Sequence, residues 1–534
     1  MASADKSNPA SPRPGGGLLR AASTVGGWTL SSRLLGFVRD VLLARVLGAG
    51  PLADAFFVAF RLPNFFRRMF AEGTLTVAMV PVLAEERKQG EDQAHHYLDA
   101  LASLLLAVLV AFTVLGMLLM PWLLLLFAPG FHGDPARWHA ALLLARWMFP
   151  YLLLISLTAL AWGVLNAYRR FSLAAASPAL LNIAIIFAAI VLAPGFSNPA
   201  LAIAFGVLLG GALQLGIQLP ALKRIGWTPR FAWHPRLPAI SRTLRLFGPA
   251  VLGVAAVQIN ILIGTILATL LPTGAVSYLY YADRIVQLPL ALFGIAMGTA
   301  LLPTLSDHAA HGRLEEAKQD LRHGLAWMTW ITLPAIVGAF WLAEPIIGVL
   351  FERGRFTHAD TLATAHTLQA YAIGLLAFCW VRVLSAACYA EKDARSPTRY
   401  AAIAVGINIV LAVILMRPFG YVGLALATSL SAFANVAMLV ARVRRLHGTV
   451  FDTASLARIG RAVLASLAML AAIVGLQHAW TFPAASDKWP QAAWLTAAIG
   501  GSMAVFFAGA WLLGERPSLG FRRPQKTRED THAP

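Results

Sequence analysis

The stretch SRLLGFVRDVLLARVLG, residues Ser32–Gly48, has the apolar composition of a membrane-spanning helix but contains four charged residues. They are Arg33, Arg39, Asp40 and Arg45. A charged side chain at mid-membrane costs about 2.5–3.5 kcal/mol on insertion scales, so such residues usually face a bundle interior or a water-filled cavity. The stretch therefore predicts a membrane protein with a polar interior.

The composition of the whole chain is that of a polytopic membrane protein. Of its 534 residues, 58% are hydrophobic and 13% are charged, whereas soluble domains carry about 25% charged residues. We count fourteen apolar spans, each long enough to cross about 30 Å of hydrocarbon. They are 22–48, 52–85, 97–127, 138–168, 172–193, 199–221, 246–271, 277–305, 324–350, 360–390, 398–416, 420–441, 462–480 and 490–513.

The net charge of +18 has a topological explanation. If the N-terminus is cytoplasmic, most Lys and Arg residues outside the spans lie in cytoplasmic segments, in agreement with the positive-inside rule. Because these charges lie in short loops rather than in a separate soluble domain, we expect no nucleic-acid partner. The even number of spans then predicts a multi-pass protein with both termini in the cytoplasm.

The chain is internally duplicated. Pro63, Pro81 and Pro178 lie in motifs that recur 226, 222 and 219 residues later. Six spans per repeat predict two parallel halves, an arrangement of secondary transporters that bind substrate between halves. The predicted organisation is a disordered tail 1–18, an N-lobe 19–222, a basic cytoplasmic loop 223–245, a C-lobe 246–446, two further helices in 447–514 and a basic tail 515–534.

The charges inside the spans are the predicted functional site. Arginine outnumbers acid there, and a guanidinium pairs bidentately with phosphate or carboxylate. We therefore predict a cationic cavity for a multiply charged phosphate; the alternative is that the charges pair only to fix helix packing. The candidates are Arg33, Arg39, Asp40, Asp54, Arg67, Arg68, Glu72 and Arg284, with Arg61, Asp283 and Arg382 as weaker ones.

The predicted fold class is an all-α polytopic membrane protein with about fourteen transmembrane helices. Two pseudo-symmetric six-helix lobes surround the central cationic cavity, and two extra helices follow. Pro63 and Gly73 predict a break in the second span. The sequence has no GxxxxGK[ST], HExxH, CxxC or GxSxG motif, so we expect neither an enzyme nor a cofactor or metal site.

Residues Ser31–Glu85, from SSRLLGFVRD to MVPVLAE, resemble the N-terminal signature of the lipid II flippases of the MurJ (MviN) type. This family lies in the multidrug/oligosaccharidyl-lipid/polysaccharide exporter superfamily. The resemblance continues through ISLTALAWGVLNAYRRF, SYLYYADRIVQLPLALFGIAMGTALLP, VLFERGRFT and YAEKDARSPTR, and covers about 19–513.

The resemblance implies transport of undecaprenyl-diphosphate disaccharide-pentapeptide from the inner to the outer leaflet of the cytoplasmic (inner) membrane. The two parallel halves predict that this transport proceeds by alternating access. It implies that the candidate arginines line the cavity and that the helices in 447–514 form a groove for the lipid tail. Our hypothesis is that Arg39, Arg67 and Arg284 hold the diphosphate. Asp40, Asp54 and Glu72 would pair with arginines when substrate is absent. The alternatives are an exporter of another polyprenyl-linked oligosaccharide and a non-transporting scaffold for wall synthesis.

Some family members have a sodium site built partly from acids in the seventh and eleventh helices. The corresponding spans here offer only Gln258, Asn260 and Asn408, which are weak ligands for a hard cation. We therefore expect membrane potential to drive transport, at about 2.3 kcal/mol per charge per 100 mV. The expected partners are lipid II and the membrane, the predicted state is a monomer, and contacts with the cell-wall synthesis machinery are left open.

Overall fold

α-Helices make up nearly all the regular structure in the computed structural model, which describes residues 15–70, 74–170, 172–483 and 488–515. These residues form nineteen α-helices and no strand. The helices of the first part of the chain are α1 Gly15–Leu47, α2 Pro51–Phe70, α3 Thr74–Gln89, α4 Glu91–Leu118, α5 Met120–Phe127, α6 Pro135–Met148, α7 Tyr151–Ala167, α8 Ser172–Phe187, α9 Pro199–Gly216 and α10 Leu219–Arg224. The remainder are α11 Pro238–Thr269, α12 Ala275–Pro289, α13 Ile295–Ala310, α14 Leu314–Trp341, α15 Ala343–Phe351, α16 His358–Ala390, α17 Arg395–His447, α18 Thr453–Ala479 and α19 Lys488–Leu512.

Ten helical segments of the described residues are long and apolar enough to cross a membrane. They are Glu91–Leu118, Pro135–Ala167, Ala175–Gly195, Pro199–Arg224, Ala275–Ala310, Leu314–Trp341, His358–Ala390, Arg395–His447, Thr453–Ala479 and Lys488–Leu512. The predicted all-α polytopic class is therefore confirmed, whereas the count of fourteen spans stays a prediction. The charge-bearing α1 and α2 are not among the ten.

The predicted second span, 52–85, contains two helices, α2 and α3. The predicted break in this span is therefore confirmed, because α2 ends at Phe70 and α3 begins at Thr74, although α2 continues through Pro63. The side-chain amide of Asn64 donates to the Phe60 carbonyl at 2.7 Å. Pro63 has no N–H, so the carbonyl that loses its usual helical donor is that of Ala59, and the Asn64 side chain bonds to the carbonyl after it.

The predicted spans 398–416 and 420–441 both lie within α17. Gly420 separates them, because its backbone angles (φ 57°, ψ −131°) are non-helical. Such a positive φ favours glycine. Nearby, a Cβ at Gly423 would lie 2.1 Å from the Leu415 carbonyl oxygen, so the turn between the two spans requires glycine for space as well as for conformation.

The described helices pack into two compact units. The first contains the described residues up to 287 with 350–371 and 401–431, and the second contains 288–349, 372–400 and those from 432 onward. In the first unit, α3, α4 and α7 pack around Tyr97. In the second, α13, α14, α16 and α17 share one apolar core, and α14, α18 and α19 share another around Trp494.

The division into two compact units does not test the predicted boundaries of the lobes and tails. The lobes 19–222 and 246–446 rest on sequence repetition rather than on compactness, so they stay a prediction. Of the predicted tails 1–18 and 515–534, residues 1–14 and 516–534 lie outside the described residues.

The connection between α16 and α17 is fixed by the carboxylate of Asp393. Its Oδ1 accepts the Ser396 backbone N–H at 3.0 Å, and its Oδ2 accepts Nε of Arg442 at 2.8 Å. The hydrogen bonds from Ser396, together with the Arg442 guanidinium, lower the pKa of Asp393 to about 2. A depressed pKa means that the folded state gains stability from this carboxylate above the unfolded-state pKa and loses it as pH falls through the folded-state value.

We expect Asp393→Asn to lower the melting temperature of the purified protein at pH 7 by about 1 °C, the shift that corresponds to about 1 kcal/mol for a chain of 534 residues. The difference from the native chain should shrink as pH falls from about 4 toward 2, because both side chains are then uncharged. Tryptophan fluorescence during heating at a series of pH values measures this. Asp92→Asn, at an exposed carboxylate, is the control; a difference that persists unchanged at pH 2 would contradict the assignment.

Candidate functional site

Arg39 and Arg284 share one carboxylate, that of Asp40. Nη2 of Arg39 donates to Oδ1 of Asp40 at 2.7 Å and Nε donates to the same atom at 3.0 Å. Nε of Arg284 lies 3.5 Å from the other oxygen, Oδ2. The Asp40 side chain is 2% exposed, that of Arg39 is 12% exposed and that of Arg284 is 34% exposed. One buried negative charge thus lies between two cations, so the group keeps an excess positive charge.

Two neutral side chains complete this group. Nη1 of Arg39 donates to Oδ1 of Asn182 at 2.9 Å, and Nδ2 of Asn182 donates to the Ser32 carbonyl at 2.9 Å. The Tyr280 hydroxyl donates to Oδ1 of Asp40 at 3.0 Å, and the Arg284 guanidinium carbon lies 4.6 Å from the Tyr280 ring centroid, a cation–π distance. We call these five side chains, Arg39, Asp40, Asn182, Tyr280 and Arg284, the basic network; it joins α1, α8 and α12.

The sequence analysis missed Asn182 and Tyr280. A signal for both was present: Asn182 is a lone amide within an apolar span, and Tyr280 lies three residues before Asp283 in the duplicated motif. Polar side chains within spans usually face a partner rather than lipid, as charged ones do. A search for polar as well as charged residues would therefore have found them.

The position of α12 depends on Asp54, which is fully buried. Its Oδ2 accepts the Gly274 N–H at 2.7 Å, and its Oδ1 accepts the N–H and hydroxyl of Ser277 at 2.9 and 2.6 Å. The first amides of a helix have no partner within it and favour a negative charge. These hydrogen bonds differ from the expected pairing of Asp54 with an arginine. Asp54 instead ties α2 to the N-terminus of α12.

A second polar group lines a cavity of about 210 Å³ in the first unit. Nη1 of Arg61 donates to the Thr265 hydroxyl at 2.5 Å, and Asp283 lies on the same lining. Nδ2 of Asn408 donates to Oδ1 of Asn260 at 3.3 Å, so these amides bond to each other. No group of three or more His, Cys, Asp or Glu residues that could hold a metal ion occurs in the part of the chain that the structure describes.

The candidates at the C-terminal end of α2 do not join the basic network. Nε of Arg67 donates to Oδ1 of Asn64 at 3.1 Å, one turn earlier on the same helix. Arg68 is exposed in the same turn. Glu72 lies outside the described residues.

Two further candidates also lie apart from the basic network. Arg33 on α1 is exposed. It takes part in none of the hydrogen bonds of the basic network described above. Arg382 on α16 is exposed and belongs to the second unit. Its Cβ lies beside Gly298, where an added Cβ would be 3.4 Å away. The structure therefore brings together Arg39, Asp40 and Arg284, with Arg61 and Asp283 as neighbours of Arg284, whereas Arg33 and Arg382 lie apart from them.

The C-terminal end of α1 interlocks with the loop between α15 and α16. Gly48 (φ 71°) and Gly354 (φ 61°) both have positive φ. A Cβ on Gly48 would lie 2.5 Å from the Arg355 carbonyl oxygen, and one on Gly354 would lie 2.4 Å from the Arg45 carbonyl oxygen. The Arg355 N–H donates to the Arg45 carbonyl at 3.0 Å. Any side chain at either glycine would force the two backbones apart.

Comparison with known proteins gives consistent matches along the chain. The family model described as "Lipid II flippase MurJ" matches residues 43–488. A probable lipid II flippase MurJ from Vibrio cholerae serotype O1 is 38% identical over 514 residues, covering 93% of this chain and 97% of that protein. The lipid II flippase MurJ of Burkholderia cenocepacia is 38% identical over 436 residues, covering 80% and 84%.

Solved structures agree with these matches. The structure titled "Lipid II flippase MurJ, inward closed conformation" is 27% identical, with a TM-score of 0.77, and the match covers 91% of this chain and 98% of that one. An inward-facing multidrug transporter of the MATE family, in the MOP superfamily, gives a TM-score of 0.64 at 15% identity. At that identity the second match shows a shared fold alone.

The role assigned to Asp54 can be tested by thermal unfolding of the purified protein. Asp54→Ala removes the acceptor of three buried donors, and each unsatisfied buried donor costs about 1–3 kcal/mol. Ser277→Ala removes only one donor from the same group and should lower the melting temperature much less. Equal melting temperatures for the two variants would contradict the role of Asp54 as the anchor of α12.

Proposed function

Because the chain belongs to the lipid II flippase MurJ family, we propose that it moves lipid II from the inner to the outer leaflet of the cytoplasmic membrane by alternating access. Family membership rests on a family model that matches most of the chain and on relatives more than 30% identical along most of both sequences. The protein is a multi-pass inner-membrane transporter, and its family is not one of catalytic enzymes.

The basic network is the observation that supports this function best. Its two guanidinium groups face one carboxylate, so the group has an excess positive charge and more N–H donors than Asp40 can accept. Nε of Arg284 is buried without a hydrogen-bond partner in the described structure. Charge-assisted hydrogen bonds from arginine to phosphate are short and strong. A diphosphate supplies the negative charge and the acceptor oxygens that this group lacks.

The two arginines differ in how firmly they are held, and this suggests separate roles. Arg39 is held by Asp40 and Asn182, so it is the fixed part of the diphosphate site. Arg284 is more exposed and lies 3.5 Å from Asp40, so it can turn toward an arriving diphosphate at a small cost. Asp40 neutralises the arginines in the absence of substrate, because an unpaired buried charge is strongly destabilising.

The remaining predicted residues have subordinate roles in this proposal. Arg67 and Arg68, at the end of α2, attract the diphosphate from the side of the cavity where that helix ends. Arg61 and Asp283 line the polar cavity that accommodates part of the sugar-peptide head group. The helices α18 and α19 form the groove for the polyprenyl tail.

The interlocked glycines supply a gate for alternating access. The charge of the loops favours both termini in the cytoplasm, which puts the C-terminal end of α1 at the outer face. The contact of the α1 end at Arg45–Gly48 with the loop at Gly354–Arg355 then closes that face. The two segments must separate for lipid II to leave. We propose a secondary-type, potential-driven cycle carried out by a monomer, since the Asn260–Asn408 pair offers a hard cation only neutral amides.

The diphosphate site is tested with Arg39→Gln and Arg284→Gln. Each variant loses at least one charge-assisted hydrogen bond, worth about 1.5–3 kcal/mol, so flipping should fall about tenfold or more. The measurement is the amount of lipid II exposed on the outer leaflet of intact cells that depend on the variant as their flippase.

Arg399→Gln, at an exposed arginine of α17 outside the basic network, is the matched control and should flip normally. Membrane levels of each variant are measured by immunoblotting, so that poor folding is not mistaken for loss of binding. Normal flipping by both network variants, present at normal levels, would overturn the assignment of the diphosphate site.

The gate is tested with Gly354→Ala. The added methyl group meets the Arg45 carbonyl, so closure of the outer face becomes unfavourable and flipping should fall. In a background carrying Ala268→Cys, at the lining of the polar cavity, an impermeant thiol reagent added outside should label the variant faster. Gly133→Ala, where a methyl group meets no other atom within 4 Å, is the control. Equal labelling rates for Ala268→Cys with and without Gly354→Ala would exclude this gate.

A further inference from the structure

The loop between α10 and α11 is fixed against α4 although it has no helix or strand of its own. The indole Nε1 of Trp227 and the Arg230 backbone N–H both donate to Oδ1 of Asp99, at 2.8 and 3.0 Å. The Ala232 N–H donates to the Ser103 hydroxyl at 2.8 Å. Trp227 is buried in the apolar core of the first unit. The outward side chains of this loop are therefore held in defined positions.

Two of those outward side chains are large and aromatic. Phe231 is 74% exposed and Trp233 is 53% exposed. Their rings stack on each other, with centroids 6.5 Å apart and planes 13° apart. Tryptophan concentrates where a membrane meets water, and phenylalanine accompanies it on surfaces that lie in the membrane interface, so this pair is suited to the lipid head-group region rather than to water.

An apolar cavity of about 220 Å³ lies between this loop and the neighbouring helices. Its walls are mostly aliphatic and come from α4, α7 and α10, and the exposed Arg230 is its one charged lining residue. The residues that line this cavity include Ala102, Leu106, Leu157, Leu160, Arg230 and Phe231. Such a recess, with a guanidinium at its edge, fits a ligand that has an apolar chain and an anionic head.

The segment around the cavity is positively charged, as an anionic head group requires. Residues 223–245 contain six Lys and Arg residues and no acidic residue. Arg242 pairs with Glu85 and Glu86, and the other five basic side chains are exposed. Basic residues next to a membrane attract anionic lipids by about 1 kcal/mol each.

We propose that the loop and this cavity form a binding site for one anionic phospholipid of the adjacent leaflet. An acyl chain occupies the cavity, the phosphate pairs with Arg230, and Phe231 and Trp233 lie among the neighbouring head groups. The site shares no residue with the basic network, so it is separate from the proposed diphosphate site. It holds the segment that connects α10 to α11 at the membrane surface.

The test is a lipid titration of the full-length, delipidated protein in detergent, read by native mass spectrometry. Phosphatidylglycerol should bind more tightly than phosphatidylcholine with the same acyl chains. Arg230→Gln should weaken phosphatidylglycerol binding about fivefold, the equivalent of about 1 kcal/mol for one basic residue. Ala102→Phe, which fills the cavity, should remove the tighter binding class.

Matched controls keep the test specific. Arg399→Gln should bind phosphatidylglycerol like the native chain, and each variant should melt at the native temperature without lipid. The proposal is overturned if Arg230→Gln and the native chain bind phosphatidylglycerol equally, or if glycerol phosphate, which lacks the acyl chain, competes as well as the lipid. It is also overturned if Arg39→Gln, rather than Arg230→Gln, weakens binding, because the phospholipid would then occupy the basic network. None of these readouts depends on flipping.

Discussion

The carboxylate of Asp40 between two guanidinium groups is the interaction on which the proposed site depends. Burying one charge costs several kcal/mol, and an ion pair of good geometry only roughly repays that cost. Apolar residues of similar size would stabilise these helices at least as well. The excess positive charge gives no structural advantage, which is why we propose that an anionic substrate completes the group.

Two acidic residues on neighbouring helices meet very different partners, and the difference determines the geometry of the site. Asp40 faces side chains, whereas Asp54 faces the free backbone amides at the start of α12. Those N–H groups must have a hydrogen-bond acceptor, because unpaired backbone groups are not tolerated away from water. Asp54 thereby sets where α12 begins, and with it the positions of Tyr280 and Arg284. The proposed binding residues thus depend on a residue that serves the fold.

Much of the fold and part of the site could be predicted from the sequence. Charges within apolar spans must find partners, which is why Arg39, Asp40 and Arg284 were selected before their contacts were known. The partner of Asp54 was not predictable, because backbone amides 220 residues away carry no signature in the sequence. The continuation of α2 through Pro63 was not predicted, because a proline removes one helical hydrogen bond and membrane helices tolerate that loss.

The same side chain, arginine, is assigned to two ligands in this protein, and its surroundings decide which one it binds. Arg39 is bonded to the Asp40 carboxylate and the Asn182 amide. An anion that replaces either of these partners must offer several oxygens and more than one negative charge. Arg230 is exposed beside stacked aromatic rings and an apolar recess, where affinity depends on an attached chain more than on charge. In these two proposals the arginines indicate an anionic ligand, and their burial and counter-charge assign a transported diphosphate to one site and a resident phospholipid to the other.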